Sequence, residues 1–262
     1  MDLREARARQ EIQRHPWELA RFEVMLDIMM QHFSPQQQIV ILDVGCGDTF
    51  FVEHLAQRLS NALLYGIDIE FQEEDLMHYK DKFEGMPIQI YDSLENMELS
   101  FPHPKADVVL LLDVIEHIED DVAFLKMLHA KPYITEATQF FITVPAFQSL
   151  YTTHDDFLGH YRRYNNASLH QSLEKANQEV QKIGYFFAFL LPIRWLKVLK
   201  ERFLNKDKAS TGLVEWSKGK RATLLMKQLL MLDYKITKFF RKLGIRLPGL
   251  SNFSVSHPKK GR

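Results

Sequence analysis

The chain predicts a doubly wound α/β fold on a mostly parallel sheet, and three observations carry that expectation. Short aliphatic runs alternate with amphipathic helical stretches along the first two thirds of its 262 residues. The run Val108–Leu112 holds no polar residue, as a strand covered on both faces requires. The stretch "IVILDVGCGDTFFVEHLAQRL" passes from a strand through Gly45 and Gly47 straight into a helix. Such a turn needs residues tolerant of positive φ, and without side chains it lets a ligand lie on the backbone.

In order, residues 2–33 read as helical, with Pro16 in a first turn and Leu19, Phe22, Met25, Leu26 and Met29 at helical spacing. "SPQQQ" breaks the pattern before a first strand over 39–42. A helix over 50–59, a second strand "LLYGIDI" and an acidic helix over 71–83 follow. "MPIQIYDSL" is a third strand ending near Asp92, and the fourth is Val108–Leu112. "DDVAFLKMLHA" is helical and "QFFITVP" is a fifth strand. After Pro145 the regularity fails in "AFQSLYTTHDDFLGHYRRYNNASL", a polar-aromatic connection of a length that usually carries function. A helix "SLHQSLEKANQE", a sixth strand in "VQKIGYFFAFLLP", two basic amphipathic stretches and a last strand "LSNFSVSH" complete the chain. The expected organisation is a single domain: N-terminal helices over 1–36, a ligand-binding core over 37–187, a helical insertion over 188–247, and a last strand and tail over 248–262.

Cys46 is the only cysteine, which excludes an internal disulfide and a cysteine-built zinc site. The charged N-terminal stretch has no apolar signal segment, so a cytoplasmic location is expected. Charge is divided unevenly. Residues 1–193 carry 15 Lys/Arg against 30 Asp/Glu, and residues 194–262 carry 18 against 4. A basic C-terminal quarter implies an anionic partner, a membrane surface or nucleic acid, unless the two halves neutralise one another within the fold.

The glycine turn is not a dinucleotide fingerprint, because Gly47 is followed by Asp48, Thr49 and Phe50. Asp43 and Asp48 would repel a pyrophosphate and suit a cationic head. Asp68 ends the second strand, where an acid receives ribose hydroxyls in doubly wound folds. Asp92 ends the third, placed to accept from an adenine amine. The implied ligand is a nucleoside carrying a positively charged amino acid.

"ILDVGCGD", "GIDIE", "YDSLE" and "LLLDVIEHIED", in this order at strand ends, resemble the successive motifs of class I S-adenosylmethionine-dependent methyltransferases over about residues 39–145. The resemblance implies a seven-stranded, mostly parallel, Rossmann-like sheet with its last strand antiparallel. It assigns S-adenosylmethionine as cofactor and S-adenosylhomocysteine as product. Asp43, Gly45 and Gly47 would meet the methionine portion, Asp68 the ribose, and Asp92 with Ser93 the adenine. Asp113 would border the methionine near the transferable methyl. Thr49 departs from the pattern, since many members have a third glycine there. Glu116-His117 is similar to a subgroup that includes quinone-pathway O-methyltransferases. Some of those hold a divalent cation through an acid-x-x-Glu-His set, the spacing of Asp113, Glu116 and His117. The simpler account is that Glu116 and His117 cap a helix and shape the pocket, and no metal is expected.

"THDDFLGHYRRY" follows the fifth strand at the edge where ligands sit in this architecture. His154 and His160, with His117, are candidate general bases because imidazole exchanges protons near neutral pH. Arg162 and Arg163 could fix a phosphate or carboxylate with Tyr161 and Tyr164 stacked beside them. The alternative is an internal network in which Asp155 or Asp156 pairs with Arg162 or Arg163. The loop, like "HPWELAR" near the start, also resembles uncharacterised bacterial methyltransferases. Trp17 and Arg21 could close the cofactor pocket, or Trp17 could pack in the core.

"IRWLKVLKERFL" sets Trp195, Val198 and Leu199 against Arg194, Lys197, Lys200 and Arg202, as an interfacial helix would. The second basic stretch aligns Leu225, Leu229, Leu232, Ile236, Phe239 and Leu243 on one face, which predicts core packing or a dimer seam. The expected function is methyl transfer to a hydroxyl of a small or lipid-linked acceptor, with possible contact at an anionic inner membrane face. Two alternatives stand beside it: an RNA methyltransferase docking through the basic quarter, and a non-catalytic scaffold. The chain has no Asn/Asp-Pro-Pro-aromatic amine motif, and a scaffold would need none of the strand-end acids.

Overall fold

The computed structural model describes residues 14–203, 216 and 218–260. Seven strands form one sheet: β1 (Ile39–Val44), β2 (Ala62–Ile67), β3 (Ile88–Tyr91), β4 (Val108–Leu112), β5 (Gln139–Pro145), β6 (Gln178–Phe186) and β7 (Ser251–Pro258). Their order is β3-β2-β1-β4-β5-β7-β6. The first five pair in parallel, and β7 runs antiparallel to both β5 and β6. Strand order reverses between β1 and β4, so a crevice opens there at the carboxyl ends, the place where ligands bind in open α/β sheets.

Nine helices are described: α1 (Pro16–Met29), α2 (Phe50–Arg58), α3 (Glu73–Lys82), α4 (Leu94–Glu98), α5 (Asp121–His129), α6 (Thr153–Leu158), α7 (Asn166–Lys175), α8 (Leu190–Phe203) and α9 (Lys220–Lys242). Helix α1 starts where "HPWE" directs it. Pro16 takes the first helical position, where no N–H is needed, His15 Nδ1 accepts from Trp17 N, and Glu18 accepts from His15 N. The expected helix N-terminal to it lies largely outside the described residues.

Alternation along β1 explains the two-layered core. Ile39 and Ile41 join Phe22, Met25, Phe51 and Leu55 on one side, while Val40 and Leu42 join Leu111, Leu125 and Leu169 on the other. Strand β6 ends sooner than its apolar run suggested, because Leu190 and Leu191 open α8 instead. Pro192 is tolerated in the first turn of that helix. The irregular connection after β5 is ordered by the bridge of Ala146 to Tyr164, by a 3₁₀ turn at Gln148–Leu150 and by α6.

Helix α9 corrects one expectation. The stripe predicted for core packing or a dimer seam is not in the core but points outward, with Leu225 59%, Phe239 59% and Leu243 60% exposed. Its inward side is Thr223, Leu230, Asp233, Tyr234 and Thr237. Polar partners on α1 decide this: the Tyr234 hydroxyl donates to Asp27 at 2.6 Å, Lys238 pairs with Asp27 at 2.6 Å, and Lys227 pairs with Glu23 at 2.9 Å. Part of the basic excess is thereby neutralised inside the fold. No helix among the described residues is long and apolar enough to cross a membrane.

Candidate active site

The turn after β1 is held by its neighbour. The N–H groups of Gly45 and Cys46 donate to Ile67 O at 2.7 and 3.1 Å, and Gly47 N donates to Asp68 Oδ2 at 2.8 Å. Gly45 has φ 78, and a Cβ there would stand 2.6 Å from a Val114 methyl, so backbone and space both exclude a side chain. Thr49, the departure from the motif, has φ 63, the left-handed conformation a glycine would take without cost.

Asp43 is buried, and neither carboxylate oxygen has a hydrogen-bond partner among the described residues. Burial pushes its carboxyl up to about 7, with Asp68 adding to the rise and the Arg21 guanidinium opposing it. A cationic group of a ligand is the partner such a carboxylate lacks. Asp68 is oriented by two backbone donors, Gly47 N at 2.8 Å and Glu70 N at 3.0 Å, one on each carboxylate oxygen. On the adjacent strand end, Asp92 is held through Oδ1 by Ser93 Oγ at 3.1 Å and Asn96 Nδ2 at 2.7 Å. The residues therefore fit a cationic nucleoside: an unpaired buried acid, a side-chain-free turn and two acids on neighbouring strands.

Asp113 has φ 59 and turns its carboxylate to Arg21 of α1 and to Thr143 Oγ1 at 3.0 Å. The Arg21 guanidinium lies over the Trp17 ring, 4.8 Å from its centroid. "HPWELAR" thus reaches the end of β4. Beside it Arg14 pairs with Asp48 at 2.5 Å, a contact nothing in the local pattern announces. Cys46 is buried with its thiol pushed far up by burial and by the charges of Asp43 and Asp68, which removes it as a nucleophile.

The loop after β5 closes the other side. Asp155, fully buried, is its hub: it takes Thr152 N at 2.9 Å, His160 Nδ1 at 2.9 Å and Arg163 Nε at 2.7 Å, with Arg194 of α8 at 3.8 Å. Burial alone would raise this carboxyl, but His160 and Arg163 overcome it and hold the group far below its usual range. Asp156 takes no part in that hub; its Oδ1 accepts from the Tyr151 hydroxyl at 2.7 Å. Arg162 donates to Glu119 O at 2.6 Å and lies 3.4 Å from Asp121, and the buried Tyr164 hydroxyl donates to Asp121 at 2.8 Å. The side chains of Arg162, Arg163 and Tyr164 are thus engaged in the loop's own framework, whereas Tyr161 is exposed. His154 is partly buried, its Nδ1 without a partner among the described residues, and burial together with Arg194 lowers the affinity of the ring for a proton.

His160 is brought against His117, their rings 4.6 Å apart and nearly perpendicular. Glu116 lies close to both, its two oxygens buried and without a hydrogen-bond partner among the described residues, its carboxyl raised well above the usual range by burial and by Asp113. Glu116, His117 and His160 offer ligand atoms within 4.8 Å of one another, a spacing a cation could bridge. Asp113, engaged by Arg21, is not one of them. Arg194, read from the sequence as part of a lipid-facing set, instead turns inward to Thr152 Oγ1 at 2.9 Å, while the side chain of Arg202 lies outside the described residues. Sequence reasoning also missed the pairing of His160 with Asp155, since only the fold of the loop decides which acid meets which base.

A doubly wound sheet with this strand order and acids at successive strand ends defines the methyltransferase fold. The family model described as "Methyltransferase domain" matches residues 17–183, and the chain belongs to that family, as a class I S-adenosylmethionine-dependent methyltransferase. No curated protein matches it in sequence. Among solved structures it is similar to a Galdieria sulphuraria protein provisionally assigned as a sarcosine dimethylglycine methyltransferase (13% identity, 92% of this chain and 86% of that one, TM-score 0.55). It is also similar to the plantazolicin methyltransferase BamL, whose structure holds a substrate analogue and S-adenosylhomocysteine (14%, 92% and 84%, 0.52). The [4+2]-cyclase SpnF is a third (14%, 96% and 86%, 0.56). At such identities these likenesses speak for the fold alone, and the fold hosts more than one reaction.

Proposed function

We propose that the chain transfers a methyl group from S-adenosylmethionine to a hydroxyl of a small or lipid-linked acceptor. The observation that carries this reading is the buried Asp43 carboxylate beside the glycine turn, without a hydrogen-bond partner among the described residues, on the strand paired with the one that runs to Asp68. When bound, the cofactor supplies a methyl on a sulfonium, and the electrons of the broken S–C bond stay on sulfur. Asp43 would hold the ammonium, Asp68 the two ribose hydroxyls and Asp92 the adenine amine. His160 Nδ1 donates to the ionised Asp155, which leaves the Nε2 lone pair to take the acceptor's hydroxyl proton as the new C–O bond forms. An apolar groove of about 330 Å³, lined by Phe147, Leu150, Leu191, Pro192 and Trp195 among others, suits a hydrocarbon chain on the acceptor. Such an acceptor agrees with a cytoplasmic enzyme working at the inner membrane face.

Calorimetry with S-adenosylhomocysteine tests the cofactor half. Asp43 must be ionised to hold an ammonium, and its carboxyl sits at about 7. Affinity should therefore rise with pH, by about tenfold from pH ~6 to pH ~8, then level off. Asp43→Asn should flatten the profile, and a native profile that is already flat would remove Asp43 from the site. For the acceptor half, His160→Gln should lower kcat by roughly 10²-fold or more with S-adenosylhomocysteine affinity unchanged. Unchanged turnover would exclude His160 as the base.

A further inference from the structure

We propose that the outward face of α9, together with the exposed start of α8, docks on an anionic lipid surface. The face is apolar. Leu225, Leu229, Leu232, Phe239 and Leu243 fall at steps of four, three, seven and four residues, with the half-buried Ile236 between Leu232 and Phe239, and each of the five is between 48% and 60% exposed. A stripe of this kind along a helix of 23 residues, about 35 Å at ~1.5 Å per residue, exceeds what scattered surface leucines account for.

Charge selects the occupant. Exposed Arg221, Lys235, Lys242 and Arg246 flank the stripe. The helix has one acid, Asp233, and it is buried on the opposite side, accepting from Phe189 N at 3.2 Å. The face therefore offers hydrocarbon and positive charge without a compensating carboxylate of its own helix, the pattern of a helix lying in an anionic interface. A second copy suits it less, because a two-fold contact would set these cationic rims against one another. A nucleic acid would use the charges and leave the leucines in water. Spanning is excluded for this helix, so the contact is peripheral. On α8, Ile193, Trp195 and Leu196 are more than half exposed beside Lys197 and Lys200. Trp195 also lines the apolar groove beside the loop after β5, so a lipid-linked acceptor resting on this surface could seat its chain in that groove. That last step rests on the proposed acceptor class; the docking itself does not.

The test is co-sedimentation of the full chain with phosphatidylcholine vesicles, with and without phosphatidylglycerol, at low and high salt. Pelleting should require phosphatidylglycerol and weaken with salt. Lys235→Glu with Lys242→Glu should lower the partition coefficient by more than ~10-fold, at roughly fivefold for each basic residue near the surface. Leu229→Asp with Phe239→Asp should abolish pelleting at either salt. Both pairs are exposed, and an unchanged melting temperature shows that folding is intact. Failure to pellet on any vesicle overturns the proposal, as does binding indifferent to the leucine and phenylalanine changes. A solution dimer dissociated by Phe239→Asp would name a second copy as occupant, and retention on RNA but not vesicles would name nucleic acid; either overturns it. Calorimetry with S-adenosylhomocysteine on the same variants should be unchanged, so failure of the docking surface and failure of the methyl-transfer reading are told apart.

Discussion

Asp68→Ala is expected to lose roughly a hundredfold or more of affinity for S-adenosylhomocysteine. A carboxylate that accepts both ribose hydroxyls contributes two charge-assisted hydrogen bonds, each about 1.5–3 kcal/mol, and about 1.4 kcal/mol is a decade in affinity. The geometry adds a second loss. Asp68 fixes Gly47 N and Glu70 N, so its removal also loosens the turn on which the ligand would lie. Asp68→Asn separates the two, because the amide oxygen can still accept from one backbone N–H while the charge is gone. Calorimetry on both variants is the measurement, with a thermal melt as control. Native affinity in Asp68→Ala would withdraw the ribose assignment.

The second large effect is expected at Asp155, and it is on stability. Removing this carboxylate leaves the Arg163 guanidinium without its charge partner and His160 Nδ1 without its acceptor, each side chain being 8% exposed. Breaking a buried pair from one side costs about 3–5 kcal/mol. In a chain of this size that lowers the melting temperature by roughly 6–20 °C. The pH dependence has a definite sign. The folded carboxyl is held below its unfolded value, so its contribution is complete above the ordinary carboxylate range near ~4 and is lost as pH falls below it. Asp155→Ala should therefore show a shallower loss of stability on acidification than the native chain. A melting temperature within ~2 °C of native would mean the hub does not organise the loop. Asp156→Ala, whose carboxylate meets only Tyr151 among the described residues, is the matched control.

The arrangement of these two acids shows where sequence reading works. The position of Asp68 was legible because a local junction sets it: a buried strand stops, a helix begins, and the acid stands at the edge where the sheet opens. The glycine turn was legible for the same reason, and even the exception at Thr49 falls at a position whose backbone is left-handed. Strands buried on both faces write themselves as apolar runs, unbroken in β4 and interrupted only by Thr143 within β5, and both have the bounds their patterns predict, Val108–Leu112 and Gln139–Pro145. Pattern was less reliable at β6, where one apolar run is divided between a strand and the first turn of α8.

What the sequence by itself determined is the order of elements, the doubly wound sheet and the acids at its strand ends, because periodicity and turn chemistry act between near neighbours. Only the tertiary structure decided which distant groups meet. Arg21 reaches Asp113 across 92 residues, Asp155 rather than Asp156 receives His160 and Arg163, and Arg194 turns from the supposed lipid face into the loop. On α9 the apolar stripe was plain in the sequence, yet it lies outside, because Tyr234, Lys238 and Lys227 find Asp27 and Glu23 on α1. Periodicity says that a helix has two faces. Which one is buried depends on charges more than 200 residues away, and those are brought close only by folding.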